Sequence, residues 1–262
     1  MANRREEERE RLRQAREERE KQQAGSERRR LMAGYAVAGV IGLAVIAGIV
    51  IAVASSVGKN DGGKAHINLA SGSTNGIQPD LREGPTPPPV KVTDLKEAAK
   101  KAGCVIRMDL KDEGKSHLPP TATEPVYGTN PPTSGNHAEP PYQEADGAYS
   151  EPVKPLFYLH SMEHGRMTIQ YKPDLSGGDQ EALKGLYDTM YGATLLFPNE
   201  TNMPYEIAVV NWTNYMGCKE YKGAITLDAI RDFGKETWGK YGNEPVAGFP
   251  FTGPTPAHPS SS

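Results

Sequence analysis

Charge is missing from residues 31–57, a run of 27 that reads LMAGYAVAGVIGLAVIAGIVIAVASSV. A helix over it, rising about 1.5 Å per residue, reaches roughly 40 Å against a hydrocarbon core of about 30 Å, so it can span a bilayer. Its glycines do not count against that, because an apolar span has to pair its own backbone groups in hydrocarbon and so has to be a helix. Cysteine is scarce as well: Cys104 and Cys218 are the only two, which leaves one possible pairing. Basic excess is absent beyond the apolar run. The chain carries 30 basic and 33 acidic residues, of which 11 and 8 lie in the first thirty positions, leaving 19 and 25 after them and a net of −6. That balance argues against a nucleic-acid partner for the larger part. A G-x-S-x-G elbow is also absent, and no single stretch specifies a reaction.

What is present begins with topology. The basic residues before the span end in Arg28, Arg29 and Arg30, whereas the first ones after it are Lys59 and Lys64. The positive-inside rule then places the N-terminus in the cytosol and everything after residue 57 outside, as a single-pass protein of the cell membrane. Ala52-Val53-Ala54 fits a signal-peptidase site, with cleavage after Ala54 as the rival reading. Signal-peptide cores run about 7 to 15 residues, and this one is far longer, so an uncleaved signal anchor is favoured. Ala38 with Gly42 and Ala44 with Gly48 have the small-xxx-small spacing that permits close helix pairing, hence a homodimer through the span. In an oxidising compartment the default reading of Cys104 and Cys218 is a disulfide, with two unpaired buried thiols as the alternative.

Along the chain, residues 1–30 are mostly Glu and Arg, with favourable i,i+4 pairs such as Glu7 with Arg11, and read as a cytosolic charged arm. Residues 58–92 are rich in Gly, Ser, Asn and Pro and read as a flexible linker; residues 252–262 read as a disordered tail. Between them, residues 93–251 are the size of one domain with its own core. Thr93 or Asp94 can cap a helix through Ala102, with Gly103 at its end. Strands are expected at 104–110, 156–160, 166–171, 194–197 and 206–212, and helices at 178–191 and 227–241. Residues 111–153 read as a long ordered loop. The fold class is α+β: a two-layer α/β sandwich with long loops, a permuted ferredoxin-like arrangement being one form of it.

Four of the six histidines, His117, His137, His160 and His164, fall within residues 117–164. His160-Ser-Met-Glu163-His164 matches H-x-x-E-H, a zinc-protease motif in which a helix presents both imidazoles beside a catalytic Glu. Its surroundings read as strand, tight turn and strand, which removes the helix that the motif needs. The milder reading is a transition-metal site, copper or zinc, formed by His160 and His164 with His137 or His117, Glu163 beside them and Met162 as a soft ligand for copper. The alternative is that these histidines only scaffold loops. A serine hydrolase of Ser134, a histidine and Asp146 lacks the nucleophile elbow. Asn199 and Asn211 fit glycosylation sequons, and Trp212 and Trp238 read as core.

The segment Pro131-Pro132-Thr133-Ser134-Gly135, followed by His137, has its entry fixed by prolines and a glycine able to aim His137 inward. With Gly147-Ala148-Tyr149 and His160-Ser-Met-Glu163-His164-Gly165 it resembles a bacterial family catalogued as domain of unknown function 3105, over roughly residues 103–241. The resemblance implies a membrane-anchored or secreted domain built around His137, His160, Glu163 and His164, with no activity attached. The expected protein is therefore a membrane-anchored extracytoplasmic domain with a histidine-rich metal site. A cell-envelope interaction module, with a protein partner in the envelope, and a metal-assisted hydrolase are the alternatives.

Overall fold

The computed structural model describes residues 67–69, 71–190 and 194–245. The charged arm, the expected membrane span, the first part of the expected linker and the expected tail lie outside the described residues. No helix among the described residues is long and apolar enough to cross a membrane.

The described elements are β1 (Ile67–Asn68), α1 (Leu95–Ala102), β2 (Cys104–Arg107), β3 (His117–Leu118), β4 (His137–Ala138), β5 (Asp146–Ala148) and α2 (Pro155–Glu163). β6 (Met167–Tyr171), α3 (Gly177–Asp188), β7 (Thr194–Pro198), β8 (Ile207–Asn211), β9 (Asn214–Cys218) and α4 (Ala224–Thr237) follow. Seven strands form one mixed sheet in the order β1-β5-β7-β6-β8-β9-β2, and β3 and β4 form a separate parallel pair. β5, β7 and β6 run parallel, and the remaining pairs of the large sheet are antiparallel.

Local chemistry explains the first helix. Asp94 accepts the Glu97 N–H at 2.8 Å, and Gly103 leaves the helix with φ 73° in the left-handed region, as its cap position requires. The β8–β9 hairpin turns at Trp212 and Thr213, with Thr213 at φ 59°, so the single strand expected at 206–212 continues into a second, unexpected one.

The largest departure is α2. Residues 156–160, expected as a strand, are helical, and the turn expected at His160 to His164 is the end of that helix. Pro155 occupies its first turn, where a missing N–H costs nothing, and all nine residues are buried. A helix buried on every side shows no apolar stripe, and a short apolar run of that kind reads equally well as a strand.

The mixed α+β class stands, but the sheet is covered on both faces. Ile169, Val209 and Met216 point into one apolar cluster with Ala98, Leu186 and Phe233 of helices α1, α3 and α4. Leu195, Phe197, Ala208 and Val210 point into another with Leu156, Leu159 and Met162 of α2. The two-layer, ferredoxin-like arrangement is therefore replaced by helices on either side, because the β5-to-β6 crossover uses α2 and the β6-to-β7 crossover uses α3.

Residues 67–92, expected as linker, are laid along the domain. Ile67 and Asn68 pair with Gly147 and Asp146, and Ser73 and Pro79 form bridges to Glu144 and Tyr149. Farther on, Gly84 N–H donates to the buried Asp188 carboxylate at 2.8 Å, and the Lys91 and Val92 N–H groups donate to Asp228 at 3.0 and 3.1 Å. A stretch with little apolar surface is held here by buried acids that bind its backbone, a contact that composition does not show. Cys104 and Cys218 stand opposite each other in the β2–β9 register and are joined in a disulfide across 114 residues. In the chain-entropy account, closing so long a loop stabilises by at most about 4 to 5 kcal/mol.

Candidate metal centre

Three segments distant in sequence deliver the histidines. The β3–β4 pair sets His117 directly opposite His137, and the last turn of α2 brings His160 and Glu163 to the same place, with His164 as the residue that ends the helix. Gly135 prepares His137: its φ of 127° is open only to glycine at low cost, and a Cβ there would lie 2.8 Å from the Tyr127 ring. Its carbonyl then accepts the Nδ1–H of His137 at 2.8 Å.

The ligand-capable atoms of His117, His137 and His160 all lie within 4.8 Å of one another. His137 and His160 are fully buried and Glu163 nearly so, while the His117 side chain is 38% exposed, so the group meets solvent on that side. His160 Nδ1 faces the Ala138 carbonyl at 2.6 Å and His164 Nδ1 the Glu244 carbonyl at 3.1 Å. A carbonyl can only accept, so each of these rings carries a proton on Nδ1 and turns Nε2 the other way. This is the outer-shell arrangement that orients imidazole ligands. Burial holds His160 neutral, pushing its pKa down to about 4 against the opposing pull of the Ala138 carbonyl, with His137, His164 and His117 adding to the depression.

Glu163 closes the arrangement. Its Oε2 lies 2.8 Å from His137 Nε2 and 3.4 Å from His117 Nε2. The segment after α4 packs over it: Glu244 N–H donates to the Glu163 carbonyl at 3.1 Å, and a Cβ at Gly242 would collide with that carbonyl. Trp212 stands edge-on to His137 at 5.8 Å, and its indole N–H donates to Asp112 at 3.2 Å.

Of the residues expected at the site, His117, His137 and His160 converge, with Glu163 beside two of them. His164 stacks on His160 at 5.1 Å on the outer side of this group. Met162 does not join them: it is fully buried among the apolar residues of α2's face, its sulfur 4.0 Å from Thr168 Oγ1, because two residues of helix turn it to nearly the opposite side from His160. Ser134 accepts the Glu113 N–H at 3.0 Å and Asp146 pairs with Arg166, so neither forms part of a triad with a histidine among the contacts described. Both sequon asparagines are buried, Asn199 bonding to Gln170 and Asn211 to the Arg166 carbonyl. Sequence reading missed the carbonyls of Gly135 and Ala138, which have no side-chain signal, and the 239–244 segment, which no pattern connects to α2.

Fold and site together define a disulfide-linked α+β domain assembled around a buried histidine cluster. Residues 120–247 match the model of the family described as "Protein of unknown function (DUF3105)", and the chain belongs to that family. The match includes His137, His160, Glu163 and His164 and begins just after His117. No curated protein and no solved structure matches the chain.

Proposed function

We propose that this chain is a single-pass membrane protein whose extracytoplasmic domain holds a transition-metal ion, copper or zinc, at His117, His137 and His160, with Glu163 against them. The anchor and its orientation rest on the uncharged run at 31–57 and the basic arm before it. The metal reading is carried by His137. Both of its ring nitrogens face groups that can only accept, the Gly135 carbonyl and the Glu163 carboxylate, each at 2.8 Å. A neutral imidazole has one N–H, so one contact sets lone pair against lone pair unless a further cation, a proton or a metal ion, is shared there. His160 supplies a second available Nε2 within the same 4.8 Å.

A proton in that place is the scaffold reading, in which the domain serves as a cell-envelope interaction module. A metal-assisted hydrolase gains one observation: the H-x-x-E-H sequence does lie at the end of a helix. Elemental analysis of the full chain, purified without a histidine tag, separates the first two readings. Near-stoichiometric copper or zinc, lost in a His160→Ala/His164→Ala double variant, is the expected result. No metal in either protein after loading would leave the histidines as scaffolding.

A further inference from the structure

Buried aspartates in this domain come with a basic partner. Asp146 has Arg166 at 3.2 Å, Asp228 has Arg231 at 2.8 Å, Asp232 has Lys235 at 2.9 Å, and Asp188 has Lys184. Among the described residues the buried Glu144 and Glu163 form no such pair with Lys or Arg. Glu144 is met by the amide of Asn75 at 2.9 Å. Glu163 is met at Oε2 by the imidazoles of His137 and His117, at 2.8 and 3.4 Å, and at Oε1 by the Asn243 amide at 3.5 Å. A carboxylate buried without a fixed cation is costly, so this one marks where positive charge belongs. It does so within ligand reach of two of the three converging histidines.

Sulfur is kept out of the same space. Met162 is committed to the apolar core and both cysteines to the disulfide. The donors are therefore imidazole nitrogens and one carboxylate oxygen. Thiolate and thioether ligands select copper(I), whereas imidazole with carboxylate suits divalent first-row ions. The attraction of the carboxylate for the ion also scales with the ion's charge, twice as large for a dication as for copper(I) at the same distance.

We infer that Glu163 is a ligand that sets the specificity of this centre, making it a site for a divalent first-row cation and not for copper(I). The inference rests on the metal reading above and goes beyond it in naming the class of ion. The test is a pair of affinities on the full chain without a histidine tag, zinc by competition with a chromophoric chelator and copper(I) anaerobically with its own chelator. In Glu163→Gln, which keeps the shape and loses the charge, zinc affinity should fall at least about tenfold and copper(I) affinity by about the square root of that factor, about threefold for a tenfold zinc loss. Equal losses for the two ions, or no loss for zinc, would overturn the assignment. Two measurements stand if that variant does not fold. Glu163→Asp keeps the charge and should keep the preference for zinc, and wild-type protein loaded with zinc should retain it when challenged with one equivalent of copper(I). Displacement of zinc by copper(I), or a preference lost in Glu163→Asp, overturns the inference while leaving a metal site in place. A chain that takes up neither ion removes the metal reading itself.

Discussion

On one face of the sheet, α1, α3 and α4 lay Ala98, Leu186, Ile230 and Phe233 against Ile169 and Val209. On the other, α2 shares the surface with loops that contain two-residue strands and hold themselves by hydrogen bonds to carbonyls, carboxylates and amides. The first face is ordinary apolar packing, whose stabilisation follows area removed from water. The second buries His137, His160 and Glu163 in place of apolar side chains, and polar groups so placed stabilise only when every partner is supplied. The helical face should therefore carry the stability of the domain, and the loop face should carry its chemistry.

The largest expected effect tests the first half of that comparison. Phe233 is fully buried in the helical-face cluster, and Phe233→Ala should cost about 3 to 5 kcal/mol through lost transfer energy and the cavity left behind. Urea denaturation should show this loss equally with and without added zinc. A loss that zinc repairs would mean that the two faces are not separable.

A smaller effect tests the second half. A ligand bound by the folded chain alone stabilises it by mass action, by about 2.7 kcal/mol when its concentration is one hundred times its Kd. Zinc should raise the melting temperature of the wild-type chain and leave that of His137→Ala unmoved, since removing this imidazole takes away both the Nε2 donor and the partner of Glu163. Equal zinc shifts in the two proteins would place the ion elsewhere than in this cluster.

The same division governs what could be read from the sequence. The first helix was legible to within one residue, because Asp94 and Gly103 are side-chain signals for backbone states. The helices of the apolar face were legible within a few residues, since Leu183, Leu186 and Tyr187 recur at helical spacing. The histidines of the site could be singled out, and Gly135 correctly marked the turn that aims His137 inward. The geometry that makes them a cluster could not. α2 has no polar face to give it a period, the β3–β4 pair is too short to leave an alternation, and the groups that orient the rings are backbone carbonyls. The order in residues 67–92 was hidden for a related reason: Asp188 and Asp228 reach across 104 and 136 to 137 positions to bind backbone N–H groups, and a backbone amide looks the same in every sequence.

The smallest effect sharpens the comparison on the loop face, at an acid outside the cluster. Burial pushes the Glu144 carboxyl from its ordinary 4.5 up to about 7, against the hydrogen bonds of Asn75 and Tyr149. Because the folded chain holds the proton more tightly than the unfolded one, this group's contribution is fully present below the unfolded value and is lost as pH rises through about 7. The 67–92 stretch lies over Glu144 through the Ser73 bridge and the Asn75 amide, so hydrating the ionised carboxylate should open that stretch first. Glu144→Gln removes the titration and keeps an oxygen for Asn75. It should stabilise the chain at pH 8 by about 1 kcal/mol and flatten the fall in stability between about pH 5 and pH 8 relative to wild type. Hydrogen exchange at the Ser73 and Ala145 amides, which bond across to Gln143 and Ser73, should slow in the variant at pH 8. Parallel pH profiles for the two proteins would mean that Glu144 stays in one protonation state throughout.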